Sequence, residues 1–190
     1  MRQFLRDRIR LEPALARTAV RVHEWTTFVL SDDWETRLNG TRKETGSALD
    51  LIESIAETLV SEETRPTHEL LSKSLQEVLL YCTGADPDLS YPQLKTRLMR
   101  FLERRGGAAI VRRFVALSLF NVIWFRTGDS FRAIAPTPET FEEDMRAVER
   151  LCRRIAASAW FSLNRSSIDA AAIDEVISNI EKRLCNGVLR

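Results

Sequence analysis

The residues able to do chemistry in this chain are few and scattered. There are two histidines, His23 and His68, and three cysteines, Cys82, Cys152 and Cys185. A structural zinc site needs Cys or His ligands in close pairs, and no such spacing occurs. Three widely separated cysteines do not make a disulfide framework either. They are expected to be buried, reduced thiols of a cytoplasmic protein. Two acidic runs, Ser31-Asp32-Asp33-Trp34-Glu35 and Phe141-Glu142-Glu143-Asp144, offer the oxygens that hard cations need. Each stands where a helix is expected to begin, and the helix dipole favours acids there. No second cluster completes either site, and no Glu-x-x-His occurs. Gly106-Gly107 lacks the Lys-Ser/Thr of a phosphate-binding loop. The expectation is no metal and no cofactor.

One spacing has catalytic content. In Arg17-Thr-Ala-Val-Arg-Val-His23 an arginine precedes a histidine by six positions. Arginine holds phosphate through its planar fork, and histidine can give or take a proton near neutral pH. This Arg-x5-His pattern, in a helical chain, resembles the active-site motif of HEPN ribonucleases, in which two protomers bring Arg and His together on RNA. The resemblance covers seven residues and implies Arg17 and His23 as the catalytic pair. The family's motif usually lies on a late helix, whereas here it lies on an early one. An arginine in solvent and a half-buried histidine on an ordinary helix account for the same residues, so the pair is expected not to be catalytic.

Charge patterning is more informative. Residues 95–113 hold Lys95, Arg97, Arg100, Arg104, Arg105, Arg112 and Arg113 against one acid, Glu103, while residues 31–64 are rich in acids. Arg97, Arg100 and Arg104 share one side of a helix, beside an apolar face of Leu94, Leu98, Phe101 and Leu102. Only Lys43, Lys73, Lys95 and Lys182 among the 28 basic residues are lysine, which suits bidentate contacts. A net charge of +1 argues against a whole-molecule polyanion binder but not against a local patch. The stripe is expected to bind a partner.

The elements that position these residues are helical. Alternating apolar and polar runs are rare, and apolar positions recur at helical spacing. Residues 1–12 read as a short or frayed helix with no signal-peptide core. A helix starts at Pro13 and carries Leu15, Val22, Trp25 and Val29. Ser31-Asp32-Asp33 is expected to cap a second helix, with 38–47 a break, that carries Leu51, Ile55 and Leu59 with the neighbouring Ile52 and Val60. Thr64-Arg65-Pro66-Thr67 reopens the chain into a third, with its stop at Gly84. Ser90-Tyr91-Pro92-Gln93 has capping-box spacing and opens a fourth, ended by Gly106-Gly107.

Residues 108–125 form the most apolar stretch. Arg112 and Arg113 interrupt it, and only residues 114–125 remain before Arg126. A bilayer span needs roughly 20 apolar residues, and a central arginine costs ~2.5–3.5 kcal/mol. No transmembrane segment is therefore expected. The stretch is read instead as the central helix of a bundle, with Phe114 and Leu117 in the core. Residues 127–137 are expected to be a connection pinned by Phe131 and Ile134. A helix from Pro138, striped by Phe141, Met145, Val148, Cys152, Ile155 and Ala159, then pairs with a last helix after Ser166-Ser167 as a C-terminal hairpin, 138–186.

A chain of 190 residues with 44% hydrophobic and 29% charged composition can bury a core by itself. The expectation is one all-α domain over 1–190, a bundle of six or seven helices. The expected function is a non-enzymatic protein–protein interaction or regulatory module, oligomeric or part of a larger assembly. The first alternative is a nucleic-acid-acting protein, either a binding subunit through the basic stripe or a HEPN-like ribonuclease. The second is a small-ligand-binding helical regulator with a pocket beside Trp124 and Phe125.

Overall fold

The computed structural model describes residues 13–29, 47–60, 65, 67–84 and 89–161. They form six helices and no strand: α1 Pro13–Val29, α2 Ala48–Val60, α3 Thr67–Thr83, α4 Tyr91–Arg105, α5 Gly107–Ile134 and α6 Pro138–Phe161. The all-helical bundle expected from periodicity is what is found. Two compact units make up the chain, Arg17–Phe114 and Met1–Ala16 with Val115–Arg190. The N-terminal helix over 1–12, the Ser31 cap and the last helix of the hairpin lie outside the described residues.

In the unit Arg17–Phe114, α2 packs on α3, α3 on α4, and α2 on α4. Helix starts and stops set this arrangement. At the head of α2, the Ser47 N–H donates to Asp50 Oδ2 at 3.0 Å and the Asp50 N–H donates to Ser47 Oγ at 3.2 Å, a reciprocal cap. At the head of α4, the Ser90 N–H donates to Gln93 Oε1 at 3.0 Å. The two heads are tied together, because the Ala48 N–H donates to the Leu89 carbonyl at 3.1 Å. Such bonds satisfy donors that a helix start leaves without partners. Ile55, Leu71, Leu75, Leu79, Leu94, Leu102, Ile110 and Phe114 are almost wholly buried in this unit.

The stops are glycines of positive φ, Gly84 at +56 and Gly106 at +72, a backbone that side chains other than hydrogen disfavour. Gly106 closes α4 by donating its N–H to the Leu102 carbonyl at 2.7 Å. Gly107 then starts α5 against α1. A Cβ placed there would lie 2.1 Å from Thr26 Oγ1, so only a hydrogen fits.

Helix α5 is longer than its apolar stretch. The expected connection over 127–137 is wrong in its first part, because the helix continues to Ile134. Gly128 lowers helix propensity by about 1 kcal/mol but breaks no backbone hydrogen bond. Pro136 does stop the helix, since a proline bars its predecessor, Ala135, from helical geometry. The side chains of Phe131 and Ile134 are outside the described ones. The buried residues Ile110, Val111, Phe114, Val115, Ala116, Leu119 and Ile123 spread over about 240° of the helix. That is the pattern of an enclosed helix. Leu117 is only half-buried. By length and composition Gly107–Phe125 also suffices to cross a membrane, and half of that window is buried.

In the other unit, α6 opens at Thr137, whose Oγ1 accepts from the Thr140 N–H at 3.2 Å. Its expected stripe is buried at Met145, Val148, Cys152 and Ile155, with Phe141 half-buried. The pairs Glu142–Arg146 and Glu149–Arg153 join side chains one turn apart.

The Gly107 contact yields a test of opposite signs. Helix propensity alone makes Gly107→Ala stabilising by about 1 kcal/mol. The Thr26 contact makes it destabilising by about 1–3 kcal/mol through overpacking. Urea melts are expected to show a lower midpoint at unchanged slope; a raised midpoint would remove the close crossing.

Candidate functional site

The last turn of α3 and the outward side of α4 enclose an open groove of about 390 Å³, lined by Tyr81, Cys82, Thr83, Arg97, Arg100, Phe101, Arg104 and Arg105. Arg97, Arg100 and Arg104 lie within about 60° of one another on α4, which is why they fall on one wall. The structure therefore brings together all three residues expected to bind a partner, and adds Arg105 beside them.

The arginines are not equivalent. Nη1 of Arg97 donates to the Thr83 carbonyl at 3.3 Å and to the Gly84 carbonyl at 2.7 Å. These acceptors stand at the C-terminus of α3, where the helix leaves carbonyls unsatisfied and its dipole is negative. Arg97 thus caps α3 and fixes it to α4. Arg100, Arg104 and Arg105 are exposed, and no ion pair or side-chain hydrogen bond engages them among the described residues. No described carboxylate lines the groove.

Tyr81 comes from a different helix and is 60% exposed. The guanidinium of Arg113, in the first turns of α5, lies 3.1 Å from its ring centroid, a cation–π contact that covers one face of the ring. Burial pushes the neighbouring Cys82 thiol up to about 12, with Arg113 pulling the other way. It is a wall, not a nucleophile, since the thiolate is the reactive form. Cys152 is likewise pushed up to about 12, first by burial. Both are free and buried, as expected; Cys185 is outside the described residues.

Arg17 and His23 sit on α1 about 9 Å apart along the axis and about 120° apart around it. Arg17 is exposed and His23 half-buried, so one helix does not aim the two at one point. The other histidine has polar company. His68 Nε2 lies 3.2 Å from Glu57 Oε2, and Ser72 Oγ donates to Glu57 Oε1 at 2.9 Å. Serine, carboxylate and histidine are all present, but the carboxylate stands between the other two. The serine proton is directed to the carboxylate and not to the histidine, so no Ser–His pair is formed; the bonds tie α3 to α2. Among the described residues no group of three potential ligands could hold a metal. The run Ser31–Glu35 is outside them, and Glu142 pairs with Arg146.

A second groove, about 520 Å³, lies in the other unit between Trp124, Arg132, Ala135, Pro136, Thr137, Pro138, Phe141 and Glu142. Trp124 stands 5.5 Å from Phe141 and 6.5 Å from Phe120, centroid to centroid. The second alternative reading from the sequence places a pocket beside Trp124 and Phe125. Phe125, 66% exposed, is not among its lining residues.

Sequence reasoning found the arginines but missed Tyr81 and Phe101 as groove walls. Phe101 lies on the apolar face of its helix in the sequence pattern, and nothing local marks Tyr81. The chain matches no protein-family model, no curated protein and no solved structure, so the site rests on its own geometry.

The two roles of arginine separate on substitution. Arg97→Ala is expected to cost about 1 kcal/mol through the lost cap, whereas Arg104→Ala should stay within about 0.5 kcal/mol of the parent. Paired denaturant melts check this; equal effects would deny Arg97 its capping role.

Proposed function

We propose that this chain is a non-enzymatic protein–protein interaction module, part of a larger assembly, that docks an acidic protein surface on the arginine groove of α3 and α4. The observation that carries the reading is the set of exposed arginines, Arg100, Arg104 and Arg105, with no carboxylate among the described lining residues. Free positive charges on one wall repel one another, and an acidic partner relieves that repulsion as it docks. Tyr81 and Phe101 supply the apolar centre that such interfaces place inside a charged rim. In this reading Gly107–Phe125 is a packing helix rather than a membrane span, supported by its two arginines and its wide buried arc.

A second reading has one specific observation in its favour. An exposed aromatic beside arginines is a feature of single-strand nucleic-acid grooves, where bases stack and phosphates pair. Arg113 already covers one face of Tyr81, however, and the second ring among the described lining residues, Phe101, is half-buried.

The test compares a synthetic peptide alternating Glu with Leu and a single-stranded oligonucleotide, each titrated over a salt series. The peptide is expected to bind the parent. A triple Arg100→Glu, Arg104→Glu, Arg105→Glu variant should stay folded, since exposed charges contribute ~0–1 kcal/mol each, yet lose that binding mainly through its association rate. Tight oligonucleotide binding with a steep salt slope, abolished by the same variant, would promote the second reading.

A further inference from the structure

We propose that the group recognised in the groove is a phosphoryl dianion carried on a partner polypeptide, clamped between Arg100 and Arg104, with a flanking apolar side chain against Tyr81 and Phe101. This rests on the docking reading above and narrows its ligand.

Four observations converge. First, the positive wall is short. Arg97 to Arg105 rises about 12 Å along α4, and Arg97 is held by the carbonyls of Thr83 and Gly84. The remaining charges fit one concentrated anion better than a strand tracked over many phosphates. Second, Arg100 and Arg104 stand one turn apart, with Cβ atoms about 5–6 Å from each other, so two planar forks can bracket one group. A phosphate monoester brings nearly two charges and three acceptor oxygens and engages both forks bidentately, which a single carboxylate does not. Third, no described carboxylate lines the groove to compete with it. Fourth, the exposed Tyr81 ring has one face under Arg113. That leaves the other face of Tyr81 and the half-buried Phe101 as a short apolar surface beside the clamp, enough for one side chain and not for a run of stacked bases.

The experiment is fluorescence anisotropy on the full chain with three labelled peptides of one sequence, Leu-flanked, carrying phosphoserine, serine or glutamate at the centre, plus a single-stranded oligonucleotide. The phosphopeptide is expected to bind at least about tenfold more tightly than the glutamate peptide, and the serine peptide more weakly still. Arg100→Gln and Arg104→Gln should each weaken the phosphopeptide about tenfold or more. Arg104→Lys should not restore it, because a point charge lacks the fork. Thermal melts of these exposed-site variants serve as the folding control, and an Arg100→Lys variant, expected to weaken the phosphopeptide likewise, keeps the test open if one of the others unfolds. Equal affinity for the glutamate and phosphoserine peptides would overturn the phosphoryl assignment and leave the docking reading standing. Absence of binding to all three peptides would overturn both. An oligonucleotide that binds more tightly than the phosphopeptide would replace both with the nucleic-acid reading.

Discussion

The groove depends on one contact, the guanidinium of Arg97 on the carbonyls of Thr83 and Gly84. A helix C-terminus concentrates unsatisfied acceptors and partial negative charge. Left bare, the end of α3 would repel any anion approaching the same place. With Arg97 seated on it, the acceptors are satisfied, and the neighbouring positive side chains face outward unopposed. The same contact fixes the distance between α3 and α4, and so sets Tyr81 of one helix opposite Arg100 and Arg104 of the other. One arginine is held in structure and the others are left facing solvent.

Around that contact the first unit is held by matching ends. The heads of α2 and α4 share a backbone hydrogen bond at Ala48 and Leu89, each head is capped by its own side chains, and α3 and α4 end in glycines of positive φ. Hydrophobic burial supplies most of the stabilisation, but burial has no direction. The caps and the Gly107–Thr26 approach decide which faces meet. An arginine wall on one side of α4 therefore follows from Leu94, Leu98 and Leu102 being drawn inward on the other.

Much of this was legible locally. The Ser90–Gln93 cap, the stops at Gly84 and Gly106, the α6 stripe and the alignment of Arg97, Arg100 and Arg104 each depend on residues within about two turns of one another, and such signals survive in a linear reading. The part that was not legible is tertiary. Nothing near Tyr81 announces that it faces α4, and nothing near Arg97 says that its partners are carbonyls of the preceding helix. The length of α5 was misjudged for a different reason. Gly128 in Thr127-Gly128-Asp129 looks like punctuation, but a lone glycine only weakens a helix, and the break waits for Pro136.

The division of labour among the arginines is the central claim, and their side-chain Nε–H resonances report it directly. Inorganic phosphate titrated into the folded protein, against a chloride control of equal ionic strength, is expected to shift the signals of Arg100 and Arg104 and to leave that of Arg97 in place. The hydrogen bonds from Arg97 Nη1 to Thr83 and Gly84 should also slow the rotation and solvent exchange of its Nη protons before any phosphate is added. A phosphate-dependent shift of Arg97 with Arg100 and Arg104 unmoved, or fast exchange at Arg97 in the free protein, would contradict the account.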